Sequence, residues 1–303
     1  MSRISSKIRN SSQKLVFLAL VLSITGLSTG AASAAAQVIT MTPTSVSPVI
    51  DPGSEFKSSF SVINQGKSSY KYIVYAAPYS VKGEDYTPDF TVLPTAPNIT
   101  SWFNFSSPGG TIAPGQTDSI NYTITVPENT QAGGYYAAVF AETQFPKAAN
   151  SITLNERVGE LFYIQVTGPV VKKAELLTWT SNIFQDPPLT SIIRLQNDGS
   201  IHYAANITYK ITDVIGQTKY SLSTQKELLP QTIRKVTIPW PKTPSIGLFK
   251  VSGNVKMLNQ NHQLSTKWVL VMSKTVRQII AAVVVLVIIL LVSRALYDKR
   301  KGK

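Results

Sequence analysis

The chain has 303 residues, with 29 Lys and Arg against 16 Asp and Glu, two histidines and no cysteine. Without cysteine there are no disulfide staples or thiolate metal sites, and no recognition motif ties the basic excess to nucleic acid. The charge is unevenly spread: residues 35–168 hold 6 Lys and Arg against 10 Asp and Glu, whereas residues 169–275 hold 13 against 5.

Arg3, Lys7, Arg9 and Lys14 precede an apolar run over residues 15–24, and Ala32-Ser33-Ala34-Ala35-Ala36 closes the segment. Charged, apolar and small-residue regions in this order make a secretory signal peptide, residues 1–34, cut after Ala34 or after Ala36. As an uncleaved anchor the run would supply only about half of the ~20 residues that a bilayer span needs.

Period-2 alternation follows. Phe56, Ser58, Phe60 and Val62 share one face, as do Tyr70, Tyr72 and Val74, then Ile120, Tyr122, Ile124 and Val126, then Phe162, Ile164 and Val166. That is the pattern of half-buried strands, and Asn64-Gln65-Gly66, Pro108-Gly109-Gly110 and Pro114-Gly115 supply the turns between them. No amphipathic helix longer than two turns is evident before residue 276, so the chemistry of the chain argues for β-sandwiches.

After Thr167-Gly168-Pro169 the same syntax restarts. Ile193, Leu195 and Asn197-Asp198-Gly199 echo Phe60, Val62 and Asn64-Gln65-Gly66, with Ile207, Tyr209 and Ile211 as the expected second arm of a hairpin. Leu229-Pro230-Gln231-Thr232 echoes Ala113-Pro114-Gly115-Gln116-Thr117, and Gly247-Leu248-Phe249 echoes Gly134-Tyr135-Tyr136. Three echoes in one order predict an all-β chain of two tandem Ig-like sandwiches, residues 37–168 and 169–272.

The apolar run over residues 279–292 extends to 276–297 if Arg277 and Arg294 snorkel to opposite interfaces, enough for one transmembrane helix at 1.5 Å of rise per residue. The basic tail 298–303 follows at once, and the positive-inside bias puts it in the cytosol. The expectation is a single-pass protein of the cell membrane, with both sandwiches extracellular and the bilayer as partner through residues 276–297.

Phe60-Ser61-Val62-Ile63-Asn64-Gln65-Gly66, Ala113-Pro114-Gly115-Gln116, Tyr122-Thr123-Ile124-Thr125-Val126-Pro127 and Gly133-Gly134-Tyr135-Tyr136-Ala137-Ala138 stand in an order that resembles the first extracellular domain of the WxL-interacting cell-surface proteins of Gram-positive bacteria. The family layout is a signal peptide, two Ig-like domains, one C-terminal membrane helix and a short basic tail. The resemblance implies a wall-facing binding protein, with peptidoglycan held by the first domain and a surface protein by the second. The segment from Pro78 to Trp102 is longer than the family pattern.

Candidate chemistry is sparse. His202 and His262 lack neighbours at metal-ligand spacing, and neither a nucleophile elbow nor a phosphate-binding glycine loop occurs, so no catalytic residue, cofactor or metal site is expected. Glu84, Asp85 and Asp89 form one carboxylate cluster; it reads as a solvated acidic loop, a calcium site or, across a cleft, a pair for glycoside hydrolysis. Tyr79, Tyr86, Phe90 and Trp102 add flat rings that suit either a sugar face, a protein partner or core packing, and Tyr79 and Tyr86 are the members expected to be exposed. Three functions follow: a surface protein binding wall glycan or a protein partner, an assembly factor resembling pilus chaperones that works by strand augmentation, or a polysaccharide hydrolase using Glu84 or Asp89.

Overall fold

The computed structural model describes residues 39–91, 98–144 and 155–301, with side chains described as far as Leu296. The signal-peptide reading lies outside the described residues, as does the very end of the basic tail.

The first sandwich has two sheets. One runs β1 (Ile39–Thr42), β4 (Glu55–Asn64), β10 (Thr117–Thr125) and β8 (Phe103–Phe105). The other runs β2 (Ser45–Val46), β12 (Arg157–Val166), β11 (Gly133–Gln144), β5 (Tyr70–Pro78) and β9 (Gly109–Ile112), with β3 (Val49–Ile50) also on β12. Alternation sets the core: Phe60 and Val62 of β4 and Ile120, Tyr122 and Ile124 of β10 face Phe162 and Ile164 of β12. Each such large apolar side chain contributes about 1.5–3 kcal/mol by leaving water.

The second sandwich repeats the plan. One sheet is β13 (Ala174–Thr180), β15 (Leu189–Asn197) and β18 (Thr232–Trp240). The other is β14 (Phe184–Gln185), β20 (Gln260–Met272), β19 (Ile246–Met257), β16 (Tyr203–Thr212) and β17 (Thr218–Leu228). Its core joins Ile193 and Leu195 to Ile207, Tyr209 and Ile211 across the two sheets.

This corrects the expected hairpin. The segments around Ile193 and Ile207 do not pair; β15 lies between β13 and β18, and β16 lies between β17 and β19. Both strands turn apolar residues to the same core from opposite sides, so the Asn197-Asp198-Gly199 turn is a crossing between sheets. Asn197 is fully buried there and its Nδ2 donates to the Ile201 and Leu228 carbonyls, satisfying acceptors that the crossing strips of water.

After β20 a single residue, Ser273, leads into α1 (Lys274–Lys301). Its stretch Lys274–Leu296 is 23 residues long and apolar enough to cross a membrane.

Candidate functional site

Between β5 and β8 the chain makes a short hairpin, β6 (Ser80–Lys82) and β7 (Thr87–Asp89), outside both sandwich sheets. Gly83 turns it with φ +63°, and Tyr86 follows in the left-handed region at φ +59°. This conformation is costly for a tyrosine and persists where the surroundings hold it.

Those surroundings belong to the second sandwich. The Glu84 carboxylate takes both arms of the Arg194 guanidinium, with Nε to Oε2 at 2.7 Å, and the Glu84 carbonyl accepts from the Lys235 N–H at 2.7 Å. Asp85 pairs with Lys235 Nζ at 2.9 Å. The Tyr86 hydroxyl accepts from the Leu229 N–H at 3.0 Å and shares a hydrogen bond with Thr232 Oγ1, while the Arg234 guanidinium lies 4.2 Å from the ring centroid. Tyr79 meets Tyr163 edge-on and Phe90 tilted, and Phe90 meets Phe140 edge-on at 4.9 Å.

Tyr79 and Tyr86, expected to be exposed, are therefore corrected: they are buried, at 8% and 7% of their free surface, in a cluster with Ala138, Phe140, Tyr163 and Leu229. The rings pack because the hairpin folds back on β11 and β12 rather than projecting into solvent. Asp89 is tied to Lys82 at 2.9 Å and to the Thr91 hydroxyl at 2.6 Å. Six of the seven candidate residues thus gather on one hairpin. Trp102 stands apart, buried in the first core against Tyr135 at 4.9 Å.

The electrostatics agree with a joint rather than a reaction centre. The Arg194 hydrogen bond holds the Glu84 carboxyl below its ordinary range, and hydrogen bonds from Thr91 and Lys82 bring Asp89 down to about 2. A glycosidic acid needs the opposite, a carboxyl held protonated near neutrality. Burial raises the phenols of Tyr79 and Tyr86 and lowers the His202 imidazole, whose backbone N–H donates to Tyr136 Oη at 2.9 Å. Among the described residues no group of three or more His, Asp or Glu is placed to hold a metal.

What the sequence reading did not single out is a sheet edge. In the first sandwich the edge strands β1, β8, β9, β2 and β3 are four residues long or shorter. In the second, β13 is broken by a register shift at Leu176/Thr178, and β18 carries Pro239 and is capped at Lys235 by the Glu84 carbonyl. Among the described residues β14 covers only Leu270 and Val271 of β20, whose pairing with β19 shifts register between Val251 and Gly253, so the longest regular edge is Tyr220–Leu228 of β17, nine residues without proline beyond a register shift at Ile211/Thr212 and paired only to β16. Its alternation is legible in Tyr220, Leu222 and Thr224, but nothing in a single strand says which side lacks a neighbour. A shallow concavity of ≈ 340 Å³ lies on its outer face between Ser221, Ser223, Thr208 and Gly253.

No family model matches the sequence, and no curated protein matches it. Solved structures with similar folds are the E. coli chaperone DraB (15% identical, 77% of this chain and 96% of that one, TM-score 0.38) and a chain of the CsuC–CsuE chaperone–tip adhesion subunit complex of Acinetobacter baumannii (12%, 78% and 99%, 0.38). A chain of the CFA/I chaperone–tip adhesin complex is similar at 12% identity over 76% of this chain and 98% of its own, TM-score 0.39. A likeness at this level of superposition carries no functional inference for this chain.

Proposed function

We propose that this protein is a non-enzymatic, membrane-tethered binding protein of an extracytoplasmic surface, which holds an extended segment of a protein partner against β17 by strand addition. The observation that carries the reading is the unpaired side of Tyr220–Leu228 in β17, nine residues in unbroken register with β16, where the other described edges are shorter, bulged, proline-bearing or covered. Strand addition supplies main-chain hydrogen bonds along the whole edge, while side chains on alternate residues select the partner.

The signal-like leader and the cations after α1 support an orientation with both sandwiches outside. The resemblance to WxL-interacting proteins supports a protein partner as well. Wall glycan held by the first sandwich rests on that resemblance alone, since the rings of Tyr79 and Tyr86 are buried.

A photo-crosslinking residue at Gln225 in producing cells is expected to give a discrete protein adduct, and the same residue at Asn254, away from the edge, none. Ser223→Pro and Thr224→Pro place one proline on the β16 side and one on the free side of the strand. The free-side variant is expected to keep the native circular dichroism spectrum and lose the adduct. Equal adducts at both positions, or none at Gln225, overturn the proposal.

A further inference from the structure

Between Ala174 and Met272, the large apolar side chains exposed to solvent are Ile183, Phe184, Val214, Ile215, Ile246 and Leu248, with Trp268 beside them. They come from four separate stretches of sequence. The topology brings all of them to one end of the second sandwich. In the larger sheet Phe184 pairs with Leu270 and Leu270 with Leu248, so these three form a row across neighbouring strands. Ile246 pairs with Met272, the last residue of β20. The turn bearing Val214 and Ile215 caps β16 beyond the Thr212–Lys250 pair, at the same end. Phe184 and Ile215 are 71% and 84% exposed, which no core requirement explains.

That end is where α1 begins. Only Ser273 separates β20 from the helix, and its N–H donates to the Ser245 carbonyl at 2.7 Å while its own carbonyl accepts from the Arg277 N–H at 3.0 Å. The Arg277 guanidinium pairs with Asp186 at 3.1 Å, two residues beyond Phe184. The first turn of α1 is thus fastened to the same loops that carry the apolar row. A bilayer that receives the helix meets these side chains at once, without a linker to hold them off.

The surrounding polar groups fit a lipid headgroup layer. Lys250 Nζ lies 4.7 Å from the Trp268 ring centroid, pairing an interfacial aromatic with a cation. Lys242, Lys267 and Lys274 stand toward the same end of their elements, and the two carboxylates there are both engaged, Asp186 with Arg277 and Asp213 with Lys219 at 3.0 Å. Apolar and aromatic side chains with lysines around them suit the boundary of an anionic membrane better than a dry protein interface, whose centre is depleted of charge.

We infer that this end of the second sandwich is itself a membrane-binding surface, with Phe184, Ile215 and Leu248 dipping into the headgroup boundary beside α1. The sandwich is then seated on the bilayer rather than swinging from a tether. The inference rests on α1 as a membrane span, and the test separates the two.

The chain has no cysteine, so single cysteines at Phe184, Ile215, Ser223 and Leu286, all exposed positions, accept one nitroxide each. The full-length variants are reconstituted in vesicles of phosphatidylcholine and phosphatidylglycerol, and collisions with oxygen and with a water-soluble nickel chelate are compared. Labels at F184C and I215C are expected to favour oxygen severalfold more than the label at S223C, and L286C to behave as a bilayer-core site. If F184C and I215C match S223C while L286C remains lipid-buried, the seating is wrong and the span stands. If L286C is open to the nickel chelate, the span falls and the inference with it. Shielding from both reagents with dipolar broadening between labels assigns the surface to a second copy of the chain and also overturns it.

Discussion

Glu160 is fully buried on β12 among the apolar residues of the first core, and neither carboxylate oxygen has a hydrogen-bond partner among the described residues. Burial pushes its carboxyl from 4.5 up to about 8. The sign of the linkage follows. Above 4.5 the unfolded chain gives up the proton while the folded chain keeps it until about 8, so stability falls as pH rises through this window and levels off beyond it. A tenfold change in proton affinity is worth about 1.4 kcal/mol, which makes the penalty at alkaline pH a few kcal/mol. Glu160→Met keeps the volume and removes the charge; its midpoint of thermal unfolding is expected above that of the parent at pH 8.5, with the gap closing toward pH 4.5. A constant gap across the range would show that packing, not ionisation, is what the substitution changes. Asn64 and Asn197 are the opposite kind of buried polar residue. The Asn64 Nδ2 donates to the Ser68 and Ile112 carbonyls and its Oδ1 accepts from the Gly66 N–H; Asn197 repeats this with Ile201, Leu228 and Gly199. Alanine at either position strands two carbonyls and is expected to cost about 2–4 kcal/mol in chemical denaturation, similarly in the two sandwiches. A loss near zero at either position would mean that water replaces the amide there.

At the scale of elements, the echoes in the sequence turn out to be repeated devices. Gly115 and Gln231 both hold positive φ, +71° and +55°, at the turn that delivers β10 to β4 and β18 to β15. Gly134 and Gly247 each make room for the aromatic two residues on: a Cβ would stand 1.9 Å from Tyr136 Oη in one case and 2.6 Å from the Phe249 ring in the other. These features are local, so residue type and spacing disclose them, as period-2 alternation disclosed β4, β10 and β12. The failures are all non-local. Whether β15 and β16 pair or cross depends on which sheet each joins, and both arrangements bury the same alternate residues. The hairpin residues from Tyr79 to Phe90 carry the polar and aromatic composition of a binding loop. Their partners Arg194, Leu229, Thr232 and Arg234 lie more than a hundred residues away and show no pattern that announces them. Composition identified a patch built for contact and left open whether the contact was external or internal.

For the molecule as a whole, that hairpin decides whether two sandwiches behave as two bodies or one. The link around Gly168 is short, but a short link alone permits rotation. Glu84 with Arg194, Asp85 with Lys235 and the buried ring of Tyr86 against Leu229 and Arg234 oppose it, together with the Gly134 N–H donating to the Ser200 carbonyl at 3.0 Å. The ion pairs are partly exposed and screened by solvent, so each contributes little and the coupling rests mainly on Tyr86, whose hydroxyl and ring are both satisfied by the second sandwich. The Glu84 pairing is present above pH 4.5 and is lost as pH falls through its lowered value, a slope opposite to that of Glu160. Raising salt is accordingly expected to loosen the joint only slightly, and removing the ring to open it. The parent chain should unfold in one transition seen alike by Trp102 in the first core and Trp240 in the second, because neither sandwich can expose its side of the joint without cost to the other. Tyr86→Ala should split it into two transitions and bring protease cleavage to residues 167–173, while Glu84→Gln leaves a single transition at a slightly lower midpoint. If Tyr86→Ala unfolds as one unit with the link still protected, the sandwiches are coupled through β11 and the Ser200 contact instead, and the hairpin is free for the external role that its composition suggests.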